Sequence, residues 1–310
     1  MKKVHVKVPA TSANLGPGFD VLGVALPLFN EITMEINGGA WTASRRSLSL
    51  SVDIEGEGFD ALPRDESNLL VRAAFLVFEA TRRWPGTLRI KALNRIPLAR
   101  GLGSSAAATL AGLYAANKHC GNALSEQALL NMATRVEGHP DNIVPALIGG
   151  FCISGMIDHE TRYLKFKAPS DLRAVVCIPQ RPMSTRDARR LLPSRVPLNA
   201  AIFTSGRLAF LLGALWQRKY ELLSFGMDDV LHQPARAALL PGLKDVISDA
   251  KKAGAYGAAL SGAGSSVIAF TKRGTVAKHV GEAMQKRFAG RGIVSRWIDL
   301  PLDNHGLKVS

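Results

Sequence analysis

Along the first nine residues lysine or histidine alternates with valine, so Val4, Val6 and Val8 share one side of an extended chain, and this period of two predicts a strand over Val4–Pro9. Short runs rich in β-branched residues predict further strands at Val21–Leu26, Glu31–Ile36 and Leu48–Ile54, set apart by glycine, asparagine and proline turn signals. At Ser67 the period changes. Leu69, Leu70, Ala73, Ala74, Val77 and Phe78 recur at helical spacing and predict a helix over Ser67–Arg82. An extended segment, Leu88–Leu93, precedes two more helices, Ala106–Asn117 and Ser125–Glu137. Ile148–Ile153, Tyr163–Phe166 and Leu172–Ile178 read as strands, and Thr185–Ala250 is helix-rich. The chain closes with strands at Ala258–Leu260 and Val267–Thr271, a helix over Thr275–Arg287 and a strand at Ile293–Ile298. Strands and helices that are partly segregated predict an α+β fold. Pro169-Ser170 divides it into two expected domains, 1–168 and 169–310.

With 310 residues, 47% of them hydrophobic, the chain can bury a sizeable core, and a soluble globular enzyme is expected. A net charge of +14 raises the question of nucleic acid. The cations are dispersed, however, the tightest clusters being the pairs Arg45-Arg46, Arg82-Arg83 and Arg189-Arg190, and aromatic residues are sparse. No stacking surface for single strands is apparent, so no nucleic-acid partner is expected. Cys120, Cys152 and Cys177 lie far apart in apolar surroundings, as buried free thiols do, and fit a reducing cytoplasm. The amino-terminal segment lacks the apolar stretch of a signal peptide. The uncharged stretches Ile143–Ile157 and Ala253–Thr271 are broken by glycine, serine or proline, so no membrane partner is expected.

Pro97-Leu-Ala-Arg-Gly-Leu-Gly-Ser-Ser-Ala-Ala107 sets two glycines and two hydroxyls between an extended segment and a helix. Helix starts leave backbone N–H groups unpaired and carry partial positive charge, so a glycine-rich approach makes an anion cradle there. The same residues satisfy the dinucleotide-binding G-x-G-x-x-A pattern, but Asn94–Arg100 separates them from the preceding strand. A Walker A loop is excluded, since no Gly-Lys dipeptide occurs. Two further loops of glycine and small polar residues, Pro9–Gly23 and Gly257–Ser266, suggest backbone packed closely around one ligand.

The three loops together resemble the GHMP kinase superfamily over essentially the full chain. Pro9-Ala-Thr-Ser-Ala-Asn-Leu-Gly-Pro-Gly-Phe-Asp-Val-Leu-Gly23 resembles its homoserine kinase family, as do Glu137-Gly-His-Pro-Asp-Asn142 with Gly149-Gly-Phe151, Ser184-Thr-x-x-Ala-Arg189 with Leu192-Pro193, and His232-Gln-Pro-Ala-Arg236 with Leu240-Pro-Gly242. The resemblance implies a two-domain GHMP kinase fold with mixed sheets and helices packed between the domains. It implies transfer of the ATP γ-phosphate to the side-chain hydroxyl of L-homoserine, with Mg²⁺ as cofactor, in threonine biosynthesis, and a homodimer.

By the same resemblance the nucleotide is held by Pro97, Leu98, Ala99, Arg100, Gly101, Leu102, Gly103, Ser104, Ser105, Ala106 and Ala107, with Asn68 at the adenine. Ser105 and Glu137 offer hard oxygen ligands for Mg²⁺. Against this, Ser105 also suits a helix cap and Glu137 a solvated helix end. The amino acid is assigned to Asn14, Asp20, His139, Asn142, Thr185, Arg189 and Arg236, the two guanidinium groups facing its carboxylate and Asp20 its ammonium. Each has a plainer alternative: turn capping for Asn14 and Asp20, capping or packing for His139 and Thr185, surface solvation for the arginines, and a place in the first turn of a helix for Asn68.

Asn142 stands where several superfamily members are thought to carry an aspartate base, and an amide cannot take the proton. The resemblance gives Asn142 the role of orienting the acceptor hydroxyl. Asp141 is the alternative base, although neighbouring residues ordinarily point in different directions. Ala235 replaces an aromatic residue expected in much of the family. Two rivals remain: a kinase for another small alcohol, such as shikimate or mevalonate, and a catalytically silent nucleotide-binding regulator on the same fold.

Overall fold

The structure, a computed structural model, describes residues 2–36, 41, 42, 44 and 48–310. Met1 and the Arg45-Arg46 pair lie outside them. In chain order the strands and helices are β1 (Lys2–Asn14), β2 (Gly18–Ile36), β3 (Ser49–Gly56), α1 (Leu69–Thr81), β4 (Thr87–Asn94), α2 (Ser104–His119), α3 (Glu126–Glu137), α4 (Ile143–Ile148), β5 (Phe151–Ile157), β6 (Glu160–Phe166) and β7 (Leu172–Pro179). There follow α5 (Thr185–Arg190), α6 (Leu198–Gln217), α7 (Leu223–Gly226), α8 (Gln233–Arg236), α9 (Leu243–Lys252), β8 (Gly257–Leu260), β9 (Val267–Lys272), α10 (Thr275–Ala289), β10 (Ser295–Leu300) and β11 (Lys308–Val309). The fold is α+β, as the segregation of periods predicts.

A seven-stranded mixed sheet runs β11-β1-β2-β4-β3, with β5 added to β2 and β6 to β5; β3 and β4 pair in parallel and the rest antiparallel. A second, antiparallel sheet has the order β10-β7-β9-β8. The alternation of β7 serves two cores: Ala174, Val176 and Ile178 join the large core shared with β1, β2, α1 and α2, while Val175 and Cys177 face the core under α9 and α10.

Two expectations are corrected. Val21–Leu26 and Glu31–Ile36 belong to one strand, β2, because the register along β1 shifts between Pro9 and Ala10, opposite Phe29 and Leu26. Pro27 and Leu28 fall in that irregularity, where a proline without an N–H costs the ladder nothing. Ile148 ends a helix rather than starting a strand: Ile143–Ile148 coils as α4, and Gly149 and Gly150, both at positive φ, turn the chain into β5. Gly149 has no room for a Cβ, which would lie 2.4 Å from the Asn304 backbone.

Candidate active site

The three glycine loops meet at the start of α2. Thr11 N–H donates to the Leu102 carbonyl (3.1 Å), Gly262 N–H to Ala13 (3.0 Å) and Ser266 N–H to Arg100 (3.1 Å). Ser261 Oγ donates to the Gly101 carbonyl at 2.6 Å. A Cβ on Gly101 would sit 2.0 Å from the Ser261 carbonyl oxygen, and one on Gly103 2.0 Å from Thr11 Oγ1; both glycines have φ near +70°. Only glycine fits either position.

These loops form one side of a cavity of about 360 Å³. Pro97, Leu98, Ala99, Arg100, Gly101, Leu102, Gly103, Ser104 and Ser105 line it, as expected. Gly103 is the N-cap of α2, in the left-handed conformation and without a side-chain cap. Ser105 is therefore inside the first turn, and its capping role is ruled out. The first amides of α2 have no acceptor within the helix. Ala107 is corrected: its N–H already donates to Gly103 (2.9 Å), so it has none to offer an anion, and the Ala106 and Ala107 methyls are buried on the inner side of α2. Arg100 also turns away, its Nε donating to the Pro179 carbonyl (2.7 Å) and its terminal nitrogen to Leu98 (2.9 Å). It ties the loop to β7. Beside the loop, Val52, Ile54, Leu62, Leu69, Ile90 and Ala92 form an apolar wall. Asn68 lies there too, but as the N-cap of α1: its Oδ1 accepts from Leu70 N–H (3.0 Å) and its Nδ2 donates to Pro63 (2.7 Å).

Ser105 Oγ donates to Glu137 Oε1 at 2.7 Å. Glu137 is the last residue of α3, and burial raises its pKa, only partly opposed by the Ser105 hydrogen bond and the His139 charge. A desolvated carboxylate paired with a hydroxyl, with no arginine or lysine paired to it among the described residues, suits a hard cation, so the donor set fits Mg²⁺.

Also on the cavity lining, Asp20 and Arg189 form a two-point ion pair, both contacts at 2.8 Å. Asn14 joins two loops, its Oδ1 accepting from Asp20 N–H (3.1 Å) and its Nδ2 donating to the Gly262 carbonyl (2.9 Å). Thr185 opens α5 and lines the cavity, whereas the cap itself is Ser184. Arg236 is only 1% exposed, which excludes surface solvation. One terminal nitrogen donates to Gly262 (2.9 Å) and to His232 Nδ1 (3.1 Å), while its buried Nε has no partner. Burial, then the like charge of Arg189, lowers its pKa to about 10. A cation so placed calls for an anion.

Sequence reasoning missed His232. Because arginine only donates, His232 Nδ1 must accept, which leaves Nε2–H to donate to the Gly16 carbonyl at 2.8 Å. The ring therefore links Arg236 to the first loop, and its presence in the His232-Gln-Pro-Ala-Arg236 run was the available signal. Thr11 carried no role in the sequence reading, and Asp141 stood there only as the alternative base. Thr11 Oγ1 donates to Asn142 Oδ1 (2.7 Å), and Asn142 Nδ2 donates to Asp141 Oδ1 (3.2 Å). The expectation that Asp141 and Asn142 diverge is overturned: the chain turns tightly ahead of α4, and both line the cavity. His139 hydrogen-bonds Asp141, and donor atoms of Asp20, His139 and Asp141 lie within 4.8 Å of one another. Burial pulls the His139 pKa down, but the Asp141 hydrogen bond and the surrounding carboxylates outweigh it and raise it.

Residues 68–150 match the family described as GHMP kinases N terminal domain, and residues 211–290 that described as GHMP kinases C terminal. A homoserine kinase of Carboxydothermus hydrogenoformans is 44% identical over 290 residues, covering 94% of this chain and 91% of the relative. A homoserine kinase of Moorella thermoacetica is 43% identical over 304 residues, covering 98% and 99%. Among solved structures, homoserine kinase from Cytophaga hutchinsonii superposes with a TM-score of 0.86 at 32% identity, covering 100% of this chain and 98% of that one.

Proposed function

The chain belongs to the homoserine kinases of the GHMP kinase superfamily, and on that premise we propose how its cavity transfers the γ-phosphate of ATP to the side-chain hydroxyl of L-homoserine. The observation that carries the reading is the meeting, in one cavity, of unpaired α2 amides with a set of charges complementary to a zwitterion. The Gly101–Ala106 backbone receives the triphosphate and the apolar wall of β3, β4 and α1 receives the base. Arg236 and Arg189 take the amino-acid carboxylate, Asp20 its ammonium, and Thr185, His139 and Asn14 shape the remainder.

The reaction is an in-line displacement, in which position and charge stabilisation supply most of the rate. Thr11 and Asp141 fix the amide of Asn142, which then orients the acceptor hydroxyl. The hydroxyl oxygen bonds to the γ-phosphorus as the bond to the β,γ-bridging oxygen breaks, ADP leaves with that electron pair, and the proton passes to a phosphate oxygen or water. Ser105 Oγ and the Glu137 carboxylate would hold Mg²⁺, which would supply neutralisation of phosphate charge.

A reducing cytoplasmic setting is supported by Cys120, Cys152 and Cys177, all free and buried. The division at 168/169 and a homodimeric state complete the proposal. ADP release measured with MgATP and L-homoserine, shikimate or mevalonate tests it: turnover is expected with homoserine. Activity with either other alcohol and none with homoserine, or nucleotide binding without turnover, would overturn it.

A further inference from the structure

Three side chains of the site converge on Phe19, a partly buried ring that does not itself line the cavity. The Arg189 guanidinium carbon lies over it at 5.4 Å from the ring centroid and the Arg236 guanidinium carbon at 5.3 Å. The His232 imidazole packs against it at 5.2 Å, the two planes 30° apart. Both guanidinium groups are inside the distance of about 6 Å at which a cation is drawn to the negative face of an aromatic ring. The local chain accounts for the placement. In a regular strand Phe19 and Asp20 would point to opposite faces, but Asp20 has φ +58° and its N–H is held by Asn14 Oδ1. Both residues therefore reach Arg189, Asp20 through hydrogen bonds and Phe19 through its ring.

We infer that Phe19 is a positioning residue for substrate recognition, its ring holding the Arg189 and Arg236 guanidinium groups together in the arrangement that receives the amino-acid carboxylate. The inference deepens the proposed function and rests on the assignment of these two arginines to that carboxylate. Its first support is electrostatic. The two guanidinium groups repel each other, and the charge of Arg189 is, after burial, the largest influence that lowers the Arg236 pKa. An anion set between them would relieve the repulsion but would also compete with the carboxylate. A ring face attracts both cations and neutralises neither. In keeping with this, the hydrogen-bond partners of Arg236 are the Gly262 carbonyl and the His232 ring, acceptors without negative charge.

The second support is what remains when substrate enters. In the proposed assignment the Asp20 carboxylate goes to the ammonium group, and Arg189 then gives up its two contacts of 2.8 Å. The Phe19 ring does not take part in that exchange, so it still fixes Arg189 while the carboxylate is being bound.

Phe19→Leu keeps an apolar side chain of similar bulk and removes the π face. It is expected to raise the KM for homoserine about 10-fold, with kcat and the KM for MgATP within about a factor of two of wild type, and Phe19→Tyr is expected to restore the homoserine KM. Competition by 3-aminopropanol, which has no carboxylate, should be the same in wild type and Phe19→Leu. Should Phe19→Leu fail to fold, site-specific mono-, di- and trifluorophenylalanine at position 19 keep the shape of the ring while draining its face of negative charge, and the homoserine KM should rise in that order. An unchanged homoserine KM in Phe19→Leu, an equal loss for homoserine and MgATP, or a flat fluorinated series would overturn the inference while wild-type turnover of homoserine left the substrate assignment standing. A wild type that does not turn over homoserine would overturn that assignment, and this inference with it.

Discussion

Arg236 carries its positive charge on a side chain only 1% exposed, and its Nε has no hydrogen-bond partner among the described residues. Arg236→Ala is expected to raise the KM for homoserine about 10- to 100-fold, as hydrogen bonds to charged groups contribute about 1.5–3 kcal/mol, while the KM for MgATP stays within a factor of two. Equal loss of both affinities would show that Arg236 holds up the loops and does not recognise the amino acid. Asn142→Ala should lower kcat about 100-fold through misplacement of the hydroxyl. A loss of that size confined to Asp141→Asn would instead make Asp141 the base. His232 gives a pH signature. Burial holds its pKa below 6.5, so the unfolded chain protonates first, and the stability contributed by the neutral ring is present above pH 6.5 and lost as pH falls toward the depressed native value. Urea unfolding should therefore show wild type losing more stability than His232→Gln between pH 7.5 and 5.5, with a ceiling of about 1.4 kcal/mol per pH unit. The placement of much of the site was legible: residue type and loop context pointed to Asp20, Arg189, Arg236, Ser105 and Glu137, all of which line the cavity. The bonds of Thr11 to Asn142 and of His232 to Gly16 were not, because a hydrogen bond between residues more than a hundred positions apart leaves no local pattern.

Elements with a steady period were read closely. The helix expected over Ser125–Glu137 appears as α3 with Ser125 as its cap, and that over Thr275–Arg287 as α10, two residues longer. Elements defined by contact were read poorly. The uncharged run Ile143–Ile157 has no clear period, and the two glycines that need positive φ, Gly149 and Gly150, decide where helix gives way to strand. Glycines at the start of α2 act in the same way on the site. Gly103→Ala would place a methyl against Thr11 Oγ1 in a left-handed backbone, a strain of about 1–3 kcal/mol. The expected result is weaker MgATP binding by calorimetry and a lower melting temperature. Unchanged nucleotide affinity would mean that the loop does not hold phosphate.

The whole molecule closes on itself in a way no local pattern announces. After β10 completes the second sheet, the chain returns to the first: Gly150 N–H donates to Asp303 (2.7 Å), Lys165 Nζ reaches the Asn304 carbonyl (3.0 Å), and β11 pairs with β1 at Val6 and Lys7. Removing residues 303–310 is accordingly expected to speed amide exchange in β1 and to lower the melting temperature, a result that a freely hanging tail would not give. The Asp20–Arg189 pair is another such closure, since one partner belongs to the start of β2 and the other to α5. In the proposed assignment the two halves of this pair are also the groups that would hold the amino acid. On that assignment homoserine would replace the pair by exchange, ammonium for guanidinium on one side and carboxylate for carboxylate on the other, so that neither half is stranded. A monopolar alcohol cannot make that exchange. Both 4-hydroxybutyrate and 3-aminopropanol should therefore bind far more weakly than homoserine in a competition assay, and equal binding of either would show that the pair does not select a guest by carrying both charges.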